Sequence, residues 1–543
     1  MSDAAKTIRF YTKPLLILTL VNALILIFYG AYFEDYEGIF SSIVQGVYSK
    51  PTNMWYDTTN YFLILAIPEH LLPFVAPYNV YGLMLLFYDL FCLSFAGLVL
   101  YRVLRINLSY TGWPLFILLY LLVCIDNIIN LNCTRHALIL IIAVFGLIES
   151  VRLEGKTFSG PGWLGIFLLM LLANLFRFEA ALLISSFYIV IMILFKRHSK
   201  YMVLPVALSV FFITLFYVLV QQYSNEAVKV FVFKEKEVTS RNNLDTSHLS
   251  SIHKLDVEAI QQYFITDKEH YTMAFYDTVA RYKPLALVGS VNFHTFLNNL
   301  LVSGMESFPS LYYLFLFAIS GYIVLRKNKG RKAYRMYFAF FLVVPFLLCF
   351  YTVLPSRFID PYFGFLSCLN IFFLIRNPEL QPFARRFCML ALMLLMLKGY
   401  WSVKKYREEN RKYRLAMDKL DELGKKYHKT VVINNFYTDK YFPVSPFSRL
   451  PERNVRFLNF YLFNAWDAQR EDWKNYCHCN PLSLPDKVNF VIESKSVFIV
   501  DEFSFGFMQK YLSEKYHVKL AQKDIEKFNE YQSVCFLSYS DQP

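Results

Sequence analysis

The sequence predicts a polytopic α-helical membrane protein with about eleven transmembrane helices and a small α/β extracytoplasmic C-terminal domain. The 543 residues are 56% hydrophobic and 18% charged, with a mean hydropathy of +0.34, which is more apolar than a soluble core requires. The apolar residues are also grouped in long runs, and Lys and Arg are concentrated on alternate sides of those runs. Together these observations exclude a soluble, fibrous or disordered chain.

Each predicted span is an apolar run, because a bilayer core about 30 Å thick needs roughly 20 apolar residues in a helix. We find such runs, two of them short, at 14–33, 79–101, 111–128, 136–150, 162–175, 180–195, 203–221, 309–325, 334–353, 362–376 and 387–401. The neighbouring runs 162–175 and 180–195 are separated by a short polar stretch. A single helix over both would be about 51 Å long, so we expect two spans joined by a tight outer turn.

The basic residues set the predicted orientation. Nineteen Lys and Arg lie in the segments on one side of the spans, whereas the short segments on the other side have four, namely Lys50, Arg135, Arg177 and Arg357. By the positive-inside rule the first side, with the N-terminus, is cytoplasmic, so the net charge of +13 needs no nucleic-acid partner. An odd span count places the C-terminal segment outside. The composition favours a bacterial inner membrane and a periplasmic C-terminal domain, with the endoplasmic reticulum left open.

The predicted organisation has two parts. Residues 1–401 form a transmembrane module with two large outer loops, 34–78 and 222–308, and residues 402–543 form the outer domain. The outer domain begins with a charged helical run, and two strand-like segments, 430–434 and 496–500, follow it. Alternation of such strands with helical stretches is typical of a small α/β fold.

Three acids, Glu34, Asp35 and Glu37, come directly where the first span leaves the membrane. One interpretation is an ordinary solvated loop. The other is a carboxylate at headgroup depth, where a reaction on a lipid-linked phosphate must take place. Such a group could accept a proton from an acceptor hydroxyl or hold a divalent cation.

Three arginines, Arg135, Arg177 and Arg357, lie at the outer membrane surface, where the positive-inside rule disfavours them. They could pair spans structurally, as Arg177 could with Glu179. They could also form a phosphate site, because the guanidinium fork binds two phosphate oxygens at once.

Other ionisable residues lie in or beside the spans. Asp89 falls near the middle of the second run, where an acid is costly and indicates a functional site, unless a neighbouring Tyr or Asn binds it. Asp126 ends the third run and is expected near the outer surface. His70 and His136 are outer histidines with either a ligand or a structural role. Nucleotide-binding, zinc-protease and serine-hydrolase motifs are absent from the sequence.

These residues resemble the motifs of the GT-C superfamily of membrane glycosyltransferases, particularly its protein-mannosyltransferase and aminoarabinose-transferase-like branch. Glu34-Asp35 stand where that family carries its catalytic acid. Arg177-Phe178-Glu179-Ala180 is similar to the family's Arg-Pro-Glu-Gly run, with Phe for Pro and Ala for Gly. Arg357-Phe358-Ile359-Asp360-Pro361 is similar to its Arg-Tyr-x-x-Pro run. The resemblance covers roughly residues 10–400 and does not extend to the C-terminal domain.

The resemblance implies a reaction. A sugar on a polyprenyl phosphate would pass to a lipid, glycan or protein acceptor by one inverting displacement, with Asp35 as the base and Glu34 and Glu37 beside it. A divalent metal, Mg or Mn, could assist. The substrate-binding residues would be Arg135, Arg177, Glu179, Arg357, His70 and Asp126.

Other classes of function stay open. A secondary transporter or lipid flippase would account for Asp89 and the broken stretch 162–195, but no inverted repeat is evident and the outer regions are large. A phosphoethanolamine-type transferase would need a larger metal-binding domain. A non-catalytic scaffold of envelope assembly would tolerate loss of the acids.

Overall fold

The structure is a computed structural model. It describes residues 3–33, 79–108, 113–156, 158–194, 203–223, 229–230, 246–261, 270–279, 311–327, 332–348, 362–364, 366–367, 370–371, 374, 381–428, 430–434, 444–448, 457–459 and 483–540.

The described part of the chain is mainly helical. The helices are α1 (Asp3–Phe28), α2 (Val80–Leu108), α3 (Trp113–Ile129), α4 (Cys133–Leu153), α5 (Gly160–Leu194), α6 (Val203–Tyr223), α7 (Ser251–Gln261), α8 (Met273–Val279), α9 (Leu311–Lys327), α10 (Lys332–Leu348) and α11 (Gln381–Tyr427). Within these residues, five helices are long and apolar enough to cross a membrane, and five further apolar helices are shorter. The chain is therefore a polytopic membrane protein. These ten helices coincide with ten predicted runs, and the exact number of crossings stays a prediction.

Helix α5 is two helical segments that meet at Arg177. The backbone of this residue, with φ of −165° and ψ of 97°, is extended rather than helical. The apolar parts on either side are Gly160–Phe178 and Ala180–Leu194. The break lies within the polar stretch at which the sequence predicts the end of one span and the start of the next.

Helix α11 runs unbroken for 47 residues, a length of about 70 Å. Its first half exposes apolar side chains, including Met393 and Leu397, and that surface ends at Tyr400 and Trp401. Lys404 follows, and its Nζ lies 5.3 Å from the centre of the Trp401 ring.

 This is a cation–π contact. A Tyr and Trp pair bordered by Lys is typical of a membrane–water interface. The last predicted span and the charged helical run beyond it thus form one helix, and a domain division at 401/402 stays a prediction.

The C-terminal region contains a five-stranded sheet. Its strands and helices are β3 (Val431–Asn434), β4 (Phe457–Asn459), α12 (Leu484–Glu493), β5 (Val497–Asp501), α13 (Glu502–Tyr516), β6 (Leu520–Lys527) and β7 (Gln532–Tyr539). The order of the strands in the sheet is β4-β3-β5-β7-β6. Strand β3 is parallel to β4 and β5, whereas β7 is antiparallel to β5 and β6. The first four residues of β5 are buried, as expected of a central strand covered on both faces. Strands β3 and β5 form where the sequence predicts strands.

The sheet is attached to the C-terminal half of α11. Lys419 Nζ donates to the backbone carbonyl oxygens of Lys527 and Phe528 at 2.8 and 2.6 Å. Lys426 Nζ lies 2.9 Å from Glu526 Oε1. These contacts join the end of β6 to the helix that continues from the last span.

A buried carboxylate joins helix α7 to helix α13 of the C-terminal region. Asp256 is fully buried, and its oxygens lie 2.9 Å from His270 Nε2 and 2.5 Å from Lys515 Nζ. Burial alone would raise the pKa of Asp256, but the hydrogen bonds and charges of His270 and Lys515 outweigh it and hold that pKa below its ordinary value. Part of the predicted loop 222–308 is therefore docked on the C-terminal region.

Candidate functional site

The site is organised by two short parallel strands where spans end. Strand β1 (Tyr32–Phe33) follows α1, and strand β2 (Asn130–Leu131) follows α3; Tyr32 pairs with Asn130 and Phe33 with Leu131. Phe33 is the last described residue before Glu34. The strand pair therefore brings the end of the first span, and the start of the acidic segment, beside the end of the third.

A three-residue connection places two predicted site residues together. Asp126 lies in the last turn of α3 and Arg135 in the first turn of α4. Asn132 caps α4, its side chain accepting a hydrogen bond from the Thr134 backbone N–H at 2.7 Å. Arg135 Nη1 lies 3.0 Å from Asp126 Oδ2, and each side chain is only 2% exposed.

Lys398 of α11 completes the cluster. Its Nζ lies 3.0 Å from Asp126 Oδ1, and its side chain is 11% exposed. The ammonium also lies 4.9 Å from the centre of the Tyr313 ring on α9. One carboxylate is therefore held between two cations, and the three side chains carry one net positive charge. We call Asp126, Arg135 and Lys398 the cationic cluster.

Polar side chains around the cationic cluster fix its carboxylate. Asn130 Nδ2 donates to Asp126 Oδ1 at 3.1 Å, and the Tyr406 hydroxyl donates to Asn130 Oδ1 at 2.7 Å. The Tyr406 ring stacks on Tyr32 with centres 4.8 Å apart. Helix α11 thus contacts both strands of the β1–β2 pair.

The aromatic border of α11 gives the depth of the cationic cluster. Lys398 precedes Trp401 by three residues, which is about 4.5 Å along the helix. The cluster therefore lies just inside the level at which the exposed apolar surface of α11 ends. In the predicted orientation this is the outer boundary of the membrane, at the depth of lipid headgroups.

A second buried pair lies beside the first. His136, adjacent to Arg135, has its Nε2 3.3 Å from Asp89 Oδ1, and both side chains are fully buried. The sequence suggested Tyr or Asn as the structural partner of Asp89, but the structure places His136 there. The sequence alone does not identify His136 as the partner, because the two residues belong to different helices that only folding brings together.

The break in α5 is close to this second pair. Phe176, the residue before Arg177, is fully buried, and its ring packs edge-on against His136 with centres 5.6 Å apart. It packs against Tyr88 in the same way, at 5.2 Å. Arg177 is partly buried and lies at the point where the helix is interrupted.

The structure describes only some of the predicted site residues. The structure brings Asp126 and Arg135 into contact and puts Arg177 at the helix break, and their roles in binding stay predictions. Glu34, Asp35, Glu37, His70 and Arg357 lie outside the described residues, and so does the side chain of Glu179.

Sequence reasoning missed Lys398, Asn130 and Tyr406. A signal existed for Lys398, which interrupts the apolar run 387–401, because a lysine inside a span indicates a functional site. Neither Asn130 nor Tyr406 carries such a signal, since each acts through contacts between segments distant in sequence.

The arrangement fits an anion better than a metal ion. A carboxylate already paired with Arg135 and Lys398 is a poor ligand for a second cation, whereas the excess positive charge attracts phosphate. Within the described ranges, no group of three or more His, Cys, Asp or Glu side chains could hold a metal.

Comparisons with known proteins add little to this geometry. No family model and no curated protein matches the chain. Among solved structures, it is similar to the crystal structure of ArnT from Cupriavidus metallidurans bound to undecaprenyl phosphate, with 10% identity over 97% of this chain and 98% of that chain and a TM-score of 0.37. A TM-score this low does not establish a shared fold, so membership of the GT-C superfamily stays a prediction.

Proposed function

We propose that this protein is an integral-membrane glycosyltransferase that moves a sugar from a polyprenyl-phosphate carrier to an acceptor on the outer face. One observation carries the proposal. Lys398 of the cationic cluster lies within one helical turn of Tyr400 and Trp401, where the exposed apolar surface of α11 ends. Asn130, which binds the carboxylate of the cluster, belongs to the strand that pairs with the one preceding Glu34.

The depth of the cluster suits such a donor. The polyprenyl tail keeps the phosphate at headgroup level, so a protein that binds it needs cations there. Arg135 offers a planar fork for two oxygens, and Lys398 offers a compact charge. The donor would approach from the side of Lys398, which is the more exposed of the two cations.

The proposed reaction is a single inverting displacement. The acceptor oxygen attacks the anomeric carbon while Asp35 takes the acceptor's proton. The bond from the anomeric carbon to the phosphate oxygen breaks, and polyprenyl phosphate leaves with the electron pair. Arg135 and Lys398, with Arg177 and Arg357, would stabilise the charge that develops on the phosphate.

The remaining parts of the proposal concern residues that the geometry does not describe. Glu179 and His70 would contact the substrates. A divalent metal would need ligands among Glu34, Asp35, Glu37 and His70, because the cationic cluster does not fit one. No step of the reaction above passes through a metal. Comparing transfer after EDTA treatment with transfer after Mg or Mn is restored tests this part.

The test is transfer by the full chain in lipid nanodiscs, supplied with a panel of radiolabelled polyprenyl-phosphate sugars and candidate acceptors. We expect transfer by the wild type and a loss of at least about a hundredfold in Asp35→Asn, the size of a general-base effect. Glu408→Gln is the matched control. Glu408 is an exposed acid on α11 that pairs with Arg411 and Lys412 of the same helix.

Two results would contradict the proposal. One is a folded wild type that transfers sugar from none of the donors. The other is wild-type transfer in Asp35→Asn, Glu34→Gln and Glu37→Gln alike, which would exclude a carboxylate-assisted displacement from this segment.

A second candidate function, a secondary transporter or lipid flippase, is favoured by the Asp89–His136 pair. Buried ionisable groups beside an interrupted helix are typical of ion pathways. Asp89→Asn separates the two candidates. It should leave sugar transfer within about twofold of the wild type if the protein is a transferase, and abolish proton-dependent movement of substrate in proteoliposomes if it is a transporter.

A further inference from the structure

A segment of the C-terminal region reaches back to the end of the first span. Val444, Ser445 and Ser448 are buried, although they follow strand β3 of the outer sheet in the chain. Ser448 Oγ donates to Asn410 Oδ1 of α11 at 2.9 Å. We call Val444–Ser448 the return segment.

The return segment binds the backbone of strand β1. The Phe33 N–H donates to the Val444 carbonyl oxygen at 2.8 Å, and Ser445 Oγ donates to the Ala31 carbonyl oxygen at 2.7 Å. Residues 31 and 33 present these groups on the same edge of an extended chain. Strand β1 is therefore held by β2 on one edge and by the return segment on the other.

A glycine of α2 allows this approach. A Cβ added at Gly82 would lie 2.7 Å from Pro446 Cα and 2.7 Å from the Phe33 ring. Because the first of these is a backbone atom, the return segment would have to move to accept even an alanine. Gly82, Pro446 and Phe33 are thus packed together at the end of the first span.

We propose that the return segment positions the backbone from which Glu34 and Asp35 follow, with Ser445 as a positioning residue for the transfer reaction. This inference rests on the proposed function and deepens it. According to this inference, residues that follow the last span help to position the transfer site. Phe33, the residue before Glu34, has its backbone N–H bound by the return segment, so a shift of that segment would displace the start of the acidic run.

The experiment compares four variants of the full chain. Ser445→Ala removes the hydroxyl that binds Ala31, and Ser445→Thr restores a hydroxyl. Gly82→Ala adds a Cβ against both Pro446 and the Phe33 ring, so it disturbs the packing of the return segment on β1 without removing a polar group. Ser185→Ala is the matched control, because Ser185 is also buried and its hydroxyl also donates to a backbone carbonyl, that of Ala181, at 2.6 Å.

The first readout is hydrogen exchange at the Phe33 amide, which does not depend on activity. We expect about fivefold faster exchange in Ser445→Ala and Gly82→Ala, the effect of losing one hydrogen bond. Ser445→Thr and Ser185→Ala should exchange within about twofold of the wild-type rate. Unchanged exchange in both Ser445→Ala and Gly82→Ala would overturn the proposal.

The second readout is the split between kcat and KM for the sugar donor. Misplacing a reacting group costs rate rather than binding, so we expect kcat to fall about tenfold or more in Ser445→Ala and Gly82→Ala at unchanged KM. Ser445→Thr should recover most of kcat. If Ser445→Ala transfers with the wild-type kcat, the positioning role alone is overturned. If the wild type transfers nothing, the proposed function is overturned and this role with it.

Discussion

Lys398 and Asp126 meet at 3.0 Å, although one lies in the last described span and the other ends the third. The contact adds a second cation to a carboxylate that Arg135 already neutralises. Without Lys398 the buried cluster would carry no net charge. The net positive charge of the cluster therefore depends on α11, the helix to which the C-terminal sheet is attached.

If the cationic cluster binds the proposed polyprenyl phosphate, we predict that Lys398→Met weakens that binding at least about tenfold, because a charge-assisted contact with phosphate is lost. Lys398→Arg keeps the charge and should bind within a few-fold of the wild type. Binding is measured on the full chain in nanodiscs by native mass spectrometry. Lys404→Met removes an exposed lysine from the same helix and is the control. An equal loss in both methionine variants would indicate a general surface-charge effect.

We predict that Asp126→Asn destabilises the protein by about 3 kcal/mol or more, because the buried cations of Arg135 and Lys398 then lose the carboxylate that they share. The measurement is thermal unfolding in detergent, followed by Trp fluorescence. The double variant Asp126→Asn with Arg135→Gln should lose less than the sum of the two single losses. Additive losses would show that the two side chains do not interact.

The Asp89–His136 pair should behave as a unit. We expect Asp89→Leu and His136→Leu each to lower stability by about 3 kcal/mol, since each leaves one buried polar partner. The double leucine variant should recover much of that loss, because an apolar pair of similar volume is often tolerated in place of a buried ionic one. The measurement is thermal unfolding of the three variants. A double variant that is less stable than either single variant would contradict the prediction.

The contact of α7 with α13 should be sensitive to acid. Asp256 has a lower pKa in the folded protein than in the unfolded chain, so the folded state binds fewer protons. Its stabilising contribution is therefore present above the ordinary pKa of Asp, about 3.9, and is lost as the pH falls through the lowered value. We expect hydrogen exchange over Ser251–Gln261, normalised to the intrinsic rate, to stay slow at pH 5 and to accelerate below about pH 4.

Asp256→Asn should mimic the acid form and raise exchange over the same helix at pH 7. The control is Glu258→Gln, since Glu258 pairs with Lys510 on the surface, where both side chains are more than 40% exposed. An exposed ion pair of this kind contributes little to the stability of the folded state. Equal exchange in the wild type and Asp256→Asn would show that Asp256 does not hold α7 in place.

Local patterns in the sequence were sufficient for the ten apolar helices and for two strands, β3 and β5. The polar stretch before Ala180 predicted the interruption at Arg177, because polar residues end an apolar run whatever the rest of the fold does. The β-branched segments around Val432 and Ile499 formed adjacent parallel strands. Asp126 and Arg135 could both be singled out because they lie at the ends of neighbouring apolar runs.

The contacts that build the candidate site were harder to predict. Lys398 was hidden in an apolar run, and only folding brings α11 against α3. The same holds for Asp89, whose partner His136 is a side chain of another helix. The return segment had no local signal, since a buried serine in the middle of an outer region looks like any other loop serine. Pairing between distant segments depends on packing geometry, which one sequence does not contain.

Helix α11 continues without a break from the last span to the residues that hold the sheet. Its length therefore sets the distance of the sheet from the membrane, and its helical phase sets the side of the helix on which the sheet lies. Each helical residue adds about 1.5 Å and about 100° of rotation. Seven residues inserted between Trp401 and Asn410 would raise the sheet by about 10 Å and leave its direction within about 20°. Two residues would add only about 3 Å but turn it by about 200°. Either change would move Asn410 away from Ser448 of the return segment, so the contact of that segment with β1 depends on the number of helical residues between Trp401 and Asn410.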